Sequence, residues 1–329
     1  LVNTVALTGS DPYFRTGTDV ALLLESPQKE AVVAYISARY AAVKATEADA
    51  QVVNGSTEGV TFSGLVTPDR RISSYLAVLD NTVIVSNSRV QLERVIAATK
   101  GKAPQLAGLG EYSFFRSRYR KGPNDSGLLI VPDAAIRKWG GPVWRIGDSR
   151  RSRAASMLSE LQANEFQKIV RGELRADGID RTRVKSVAAL GDLSVDAHGL
   201  RSSKYGTLGF LTPISELSIG NISAEEQSAY VRFRDSYSAY WRGYFDPIGL
   251  QFSLQPGERR MDLTVMPLIV GTDYRELMQI AQRVTLDEFS GDLHPEALIT
   301  FTAAVDSTAQ WAQAANRQSQ MLLPGLQNP

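Results

Sequence analysis

Two short patterns bring together residue types that hold metal ions: Asp196-Ala197-His198 and Asp292-Leu293-His294. On a strand, residues two apart point to the same face. Each pair can therefore present a carboxylate and an imidazole together, the donors of a zinc or other divalent site. These are the only 2 histidines in 329 residues, and there are 0 cysteines. Thiol nucleophiles, thiolate zinc sites, iron–sulfur ligation and disulfides are excluded, as is any site of three imidazoles. Each Asp-His pair also borders a turn, with Gly199 after His198 and Pro295 after His294. Polar residues at loop ends are the expected reading, and a metal site formed by Asp196, His198, Asp292 and His294 is the alternative.

A second feature is a basic stretch. Between Tyr112 and Arg153 there are 10 Lys or Arg residues against 3 acids, in a chain whose net charge is only +1. Arg116, Arg118, Arg120, Lys121, Arg150, Arg151 and Arg153 are its candidates for docking an anionic polymer or an acidic partner surface. Solvated helix faces and internal salt bridges are the commoner outcome for such a run. It carries no helix-turn-helix, RNP-like or zinc-finger signature, so nucleic acid is not the expected partner.

The third feature is an aromatic row, Tyr230, Phe233, Tyr237, Trp241 and Tyr244, recurring at steps of 3, 4, 4 and 3 along one helical face. Exposed, Tyr237, Trp241 and Tyr244 form a stacking platform for sugar rings or a protein hot spot. Buried, the row is the ridge by which a long helix packs on its sheet, and this periodicity makes burial the expectation. The chain contains no HExxH, GxSxG, SxxK, Walker A or EF-hand pattern. No catalytic residue can be named from it, and no cofactor is implied.

The elements that must position these groups follow from periodicity and turn chemistry. Hydrophobic residues make up 43% and charged residues 22%, which is globular composition and rules out disorder throughout. No apolar run approaches the roughly 18 residues of a membrane span, and the start at Leu1 reads as a processed or excised piece. Asp19 to Glu25 is a strand, followed at Ser26-Pro27 by a helix start. Ile72 to Leu79 and Thr82 to Val85 form a hairpin about Asp80-Asn81, and Ser88 to Gln91 is a capping box. Gly127 to Val131 is a further strand, and the polar run Asp148 to Arg153 is expected at the surface or in a linker.

The same grammar recurs in the second half. Val184 to Ala197 and Tyr205 to Thr212 read as strands, Ser223 to Glu226 as a second capping box, and Gly249 to Leu254 with Arg260 to Pro267 as a hairpin about Pro256-Gly257. A helix at Asp273 to Val284, a strand at Ala297 to Ala303 and a helix opening at Ser307 complete the expected elements. The predicted fold is α+β, with two domains of antiparallel sheet and helices packed mainly on one face. The boundary is expected near residue 150. It separates a domain at 1–150, with an antiparallel meander, from one at 151–329 containing the long aromatic helix 223–244. A doubly wound nucleotide-binding fold is disfavoured because no strand runs into a Gly-rich phosphate turn.

The segments SSYLAVLDNTVIVSNSRVQLERVIAA and GKAPQLAGLGEYSFFRSRY, within Ser73 to Tyr119, resemble a group of large uncharacterised bacterial proteins, often exported, known only as a domain of unknown function. YGTLGFLTPISEL and ISAEEQSAYVRFRDSYSAYWRGYFDPIGL, within Tyr205 to Leu250, are similar to the same group. The resemblance implies a piece of a longer polypeptide in the periplasm or outside the cell, and it supplies no activity or site residues. Lack of cysteine agrees with that location.

These observations favour a non-enzymatic, exported or envelope-associated module of a larger bacterial protein, structural or binding a protein or polysaccharide partner. The alternative is an extracellular hydrolase, metal-assisted or with two carboxylates, acting on a polymer.

Overall fold

A computed structural model describes residues 1–10, 17–122, 125–173, 185–196, 199–241, 246–266, 304, 306–309 and 312–313. The chain divides into two compact units. One comprises Leu1–Arg120 with Ala134–Arg234, the other Lys121–Asp133 with Asp235–Pro329.

The first unit opens with strands β1 (Thr4–Gly9) and β2 (Val20–Glu25), helix α1 (Lys29–Thr46), and strands β3 (Gln51–Thr57), β4 (Val60–Val66), β5 (Ser73–Leu79) and β6 (Thr82–Ser86). Asp80, in left-handed backbone at φ 50°, turns β5 into β6, and Leu79 pairs with Thr82 as the hairpin reading requires. The six strands form one antiparallel sheet in the order β1-β2-β6-β5-β4-β3. Ser26, expected to cap α1, instead accepts a hydrogen bond from the Gln28 backbone N–H at 3.0 Å, and Gln28 is the cap residue.

Alternation along these strands makes both faces of the sheet apolar. Phe62, Ala77 and Ile84 meet Leu92, Val95 and Ile96 of helix α2 (Arg89–Thr99) on one face. Leu76 and Val83 meet Val32, Val33 and Ile36 of α1 on the other. The α+β class with antiparallel sheets is as expected, but here each face carries its own helix instead of one face carrying both. The reason is legible in residues 76–78 and 83–85, where consecutive apolar side chains leave neither face polar. Ser88 caps α2 by accepting from the Gln91 N–H at 3.3 Å, and Gly101 at φ 70° follows its end. At the sheet rim, every residue of β1 is exposed, including Val5 and Leu7.

Helix α3 (Gly110–Arg118) packs on the short 3₁₀ turn Leu106–Gly108. Strand β7 (Gly127–Val131) and helix α4 (Asp133–Gly140) precede helix α5 (Pro142–Val170). Gly140-Gly141-Pro142 ends one helix, yet Pro142 also begins the next, because proline at the first helical position loses no hydrogen bond. The expected boundary near 150 therefore falls inside one 29-residue helix, and Asp148 to Arg153 is helical instead of a linker.

The apolar face of α5 covers a second antiparallel sheet of β8 (Lys185–Val187), β9 (Gly191–Asp196), β10 (Gly199–Ser202) and β11 (Gly206–Thr207), ordered β11-β10-β9-β8. Ala154 and Leu158 pack there on Leu190, Leu193 and Tyr205. Two departures from expectation occur here. The strand expected over 184–197 is broken by a turn at 188–190, and the one expected over 205–212 is reduced to β11 and a single bridge from Gly206 to Leu211. A 3₁₀ turn, Ile214–Glu216, then leads toward helix α6 (Ala224–Trp241).

In the second unit, β12 (Ile248–Gln255) and β13 (Glu258–Val265) form the hairpin expected about Pro256-Gly257, with Gly257 at φ 83°. β7 pairs antiparallel with β12 and completes a three-stranded sheet. The helix expected at 273–284, the strand expected at 297–303 and positions 242–244 of the helix expected over 223–244 lie outside the described residues. No helix among the described residues is long and apolar enough to cross a membrane.

Candidate functional site

The basic stretch and the aromatic row meet where α5 passes the first turns of α6. Ser223 and Glu226 form a reciprocal capping box: the Glu226 N–H donates to Ser223 Oγ at 3.2 Å, and the Ser223 N–H donates to Glu226 Oε2 at 3.1 Å. This fixes Glu226 beside α5, where Arg150 donates to it from Nε at 2.7 Å and from a terminal nitrogen at 2.8 Å. Arg153 adds a third contact at 2.9 Å. Hydrogen bonding by Arg150 comes first among the causes that pull the Glu226 carboxyl from its usual 4.5 to about 2, and burial opposes it. The same pairing raises Arg150, while the Ser223 hydroxyl lowers the exposed Glu225.

Successive positions of the basic run face different ways on a helix, so its members do different work. Arg150 reaches across to the carbonyls of Ile219 and Asn221, both at 2.7 Å, and staples the chain leading into α6. Arg151 points inward and is only 1% exposed, donating to the Gly17 carbonyl at 2.7 Å and to Asp148 at 3.3 Å. Arg153 is exposed. All three make internal ion pairs, and Arg153 alone also keeps the solvent-facing position that a binding residue requires.

Arg145 completes the arrangement. Its guanidinium lies over the Phe233 ring, 4.1 Å from the centroid, and Tyr230 stands 6.3 Å from Phe233. The Tyr230 hydroxyl donates to the Gly140 carbonyl at 3.3 Å, which fixes the ring. Tyr230, Phe233 and Tyr237 are each half-buried, neither a full core ridge nor a free platform, and the side chains of Trp241 and Tyr244 lie outside the described residues. Between the helices is a groove of about 340 Å³, lined by Arg145, Arg153, Arg232, Tyr230 and Phe233 among others. Arg145, a member of the basic stretch, and Arg232 were not binding candidates from the sequence; the eight-residue step from Arg145 to Arg153 along one helix face was the available signal for the first, and the second had none.

The remaining expected residues are elsewhere. Arg116 and Arg118 are on α3, Arg120 follows it, and none of them lines the groove. Lys121 belongs to the second unit. Asp196 ends β9 opposite Gly199, whereas His198, Asp292 and His294 lie outside the described residues. Among the described residues no three His, Asp or Glu side chains gather as a metal site would need.

No family model matches this chain, and neither a curated protein nor a solved structure does.

Proposed function

We propose that this chain is a non-enzymatic binding module whose α5–α6 groove receives an acidic segment of a partner protein. The observation that carries the reading is the Arg145–Phe233 stack beside Tyr230. Arginine and aromatic side chains are enriched at protein interfaces, because they combine flat apolar area with polar or charged edges at low entropic cost. Charge supports an acidic occupant. The groove carries Arg145, Arg153 and Arg232 against Glu225 and Glu226; Glu226 is held by Arg150 and Arg153, Arg145 reaches Asp148 only at 3.9 Å, and Arg232 has no acidic partner among the described residues, which leaves the lining cationic in balance. A position outside the cytoplasmic membrane is part of the proposal, supported by the cysteine-free composition.

The test uses fluorescence anisotropy with a labelled polyglutamate peptide, against a neutral peptide and an anionic oligosaccharide. Polyglutamate is expected to bind best, to weaken as salt rises, and to weaken about tenfold or more in Arg145→Ala with Arg232→Ala. Changing Arg116, Arg118 and Arg120 to Ala is expected to have little effect. Indifference to the groove variants, or preference for the oligosaccharide, overturns the proposal.

A further inference from the structure

Independently of that groove, the first unit has a second concavity of about 410 Å³. It is bounded by the turn after β4, by the β10–β11 hairpin and by the 3₁₀ turn with the residues that follow it. Its cations are Arg70, Arg201 and Lys204, and its single lining carboxylate is Glu216. Arg70 sits in left-handed backbone at φ 62°, a conformation that non-glycine residues adopt at a cost. Its two terminal nitrogens fork onto Glu216 at 2.7 and 3.1 Å, and Glu216 also accepts from the Ser88 hydroxyl. The carboxylate is therefore fully occupied within the protein.

Two guanidinium donors are left over. The Nε atoms of Arg70 and Arg201 are both buried and have no protein acceptor, although each arginine lines the cavity. Arg201 otherwise makes a 3.4 Å hydrogen bond to the Pro68 carbonyl, and neither it nor Lys204 has a carboxylate partner among the described residues. Lys204 is exposed at the rim. Ser203, Thr212 and Ser218 add hydroxyl-bearing side chains to the wall. Buried N–H groups without acceptors are unusual in folded proteins; these two lie behind the cavity wall and add to the positive field that Arg201 and Lys204 project into it.

We propose that this cavity is an oxyanion site that takes the phosphoryl group of a small hydroxylated molecule. A tetrahedral phosphoryl group suits donors supplied by three separate chain segments better than a planar carboxylate does. A carboxylate pairs best with a single planar fork, and the fork of Arg70 already faces Glu216. The cavity volume leaves room beyond the phosphoryl group, and hydroxyl-bearing residues surround that room.

Isothermal titration calorimetry with inorganic phosphate, glycerol 3-phosphate and acetate at matched ionic strength tests the site. Both phosphates are expected to bind, the ester at least as tightly as the inorganic ion, with acetate about tenfold weaker or undetectable. Lys204→Ala, at an exposed position, and Arg201→Gln are each expected to weaken phosphate about tenfold or more. Arg145→Ala in the other groove leaves it unchanged, so the two sites fail or stand separately. Circular dichroism melts establish that each variant is folded, and Lys204→Ala alone decides the matter if Arg201→Gln is not. Absence of phosphate binding, equal binding of acetate, or full affinity in Lys204→Ala overturns the proposal.

Discussion

Replacing Glu226 by Gln removes a charge and one acceptor oxygen while leaving an amide oxygen that can still close the capping box, so it weakens the α5–α6 joint without shortening the side chain. The magnitude follows from the geometry. The bond from Arg150 Nε at 2.7 Å is lost, because the amide NH2 that takes the place of one carboxylate oxygen cannot accept, and the 2.8 Å bond to the remaining oxygen loses its anionic acceptor, at about 1 kcal/mol each. The contact with Arg153 adds little, because that side chain is 59% exposed and screened by water. Depression of the carboxyl from 4.5 to about 2 sets a ceiling of about 3 kcal/mol at about 1.4 kcal/mol per unit. A loss of about 2 kcal/mol at neutral pH is therefore expected, or a melting point about 4–8 °C lower for a unit of this size.

The pH dependence gives the sharper check. A carboxyl whose folded pKa is depressed stabilises the protein fully above its unfolded value and loses that contribution as pH falls through the folded one. The gap between parent and Glu226→Gln should be complete above about pH 5 and should close as pH falls from 4.5 toward about 2. Urea unfolding followed by circular dichroism across that range measures it. A variant as stable as the parent at neutral pH, or a gap that persists unchanged in acid, refutes the reasoning.

Leu158, fully buried between α5 and the second sheet, should cost about 2–5 kcal/mol on truncation to Ala, whereas Phe166→Ala on the exposed side of the same helix should stay within about 0.5 kcal/mol by urea unfolding. Gly17→Ala and Gly59→Ala separate two kinds of glycine requirement. Both residues have positive φ, at 87° and 75°, but a Cβ on Gly17 would lie 1.8 Å from the Leu211 carbonyl oxygen, while one on Gly59 meets nothing within 4 Å. Gly59→Ala should cost about 1–2 kcal/mol from backbone strain alone. Gly17→Ala should cost clearly more, and equal thermal shifts for the two would contradict the close approach.

Local chemistry was legible in the sequence wherever a few neighbouring residues decide the structure. Ser88 with Gln91 and Ser223 with Glu226 cap helices as their spacing requires, and Asp80-Asn81 and Pro256-Gly257 turn hairpins as expected. Pro142 was not legible in this way, because the same residue stops a helix when internal and starts one when first. That choice depends on whether Trp144, Gly147, Arg151, Ala154 and Leu158 find a surface to bury against, and partners such as Ile214, beside Gly147, are distant in sequence. The basic run illustrates the same limit. Its charge was visible, but only the fold shows that Arg151 points inward to Gly17 and that Arg150 closes on Glu226. The Arg70–Glu216 fork, spanning 146 positions, had no local signature at all.

The Ile214–Glu216 turn also bears on the order in which the first unit can form. Ser215 donates to Asp19, a fully buried carboxylate 196 positions earlier, at 2.7 Å, and Glu216 holds Arg70 and Ser88. The six-stranded sheet lies within residues 4–86, where Asp19 already accepts from Ser10 and pairs with Arg94, but Arg70 has no carboxylate partner until Glu216 has left the ribosome. A nascent chain halted before that point carries a sheet whose Arg70 guanidinium lacks its carboxylate and whose Asp19 lacks one of its hydroxyl donors, which predisposes it to open and marks this short turn as the latch that ends cotranslational vulnerability.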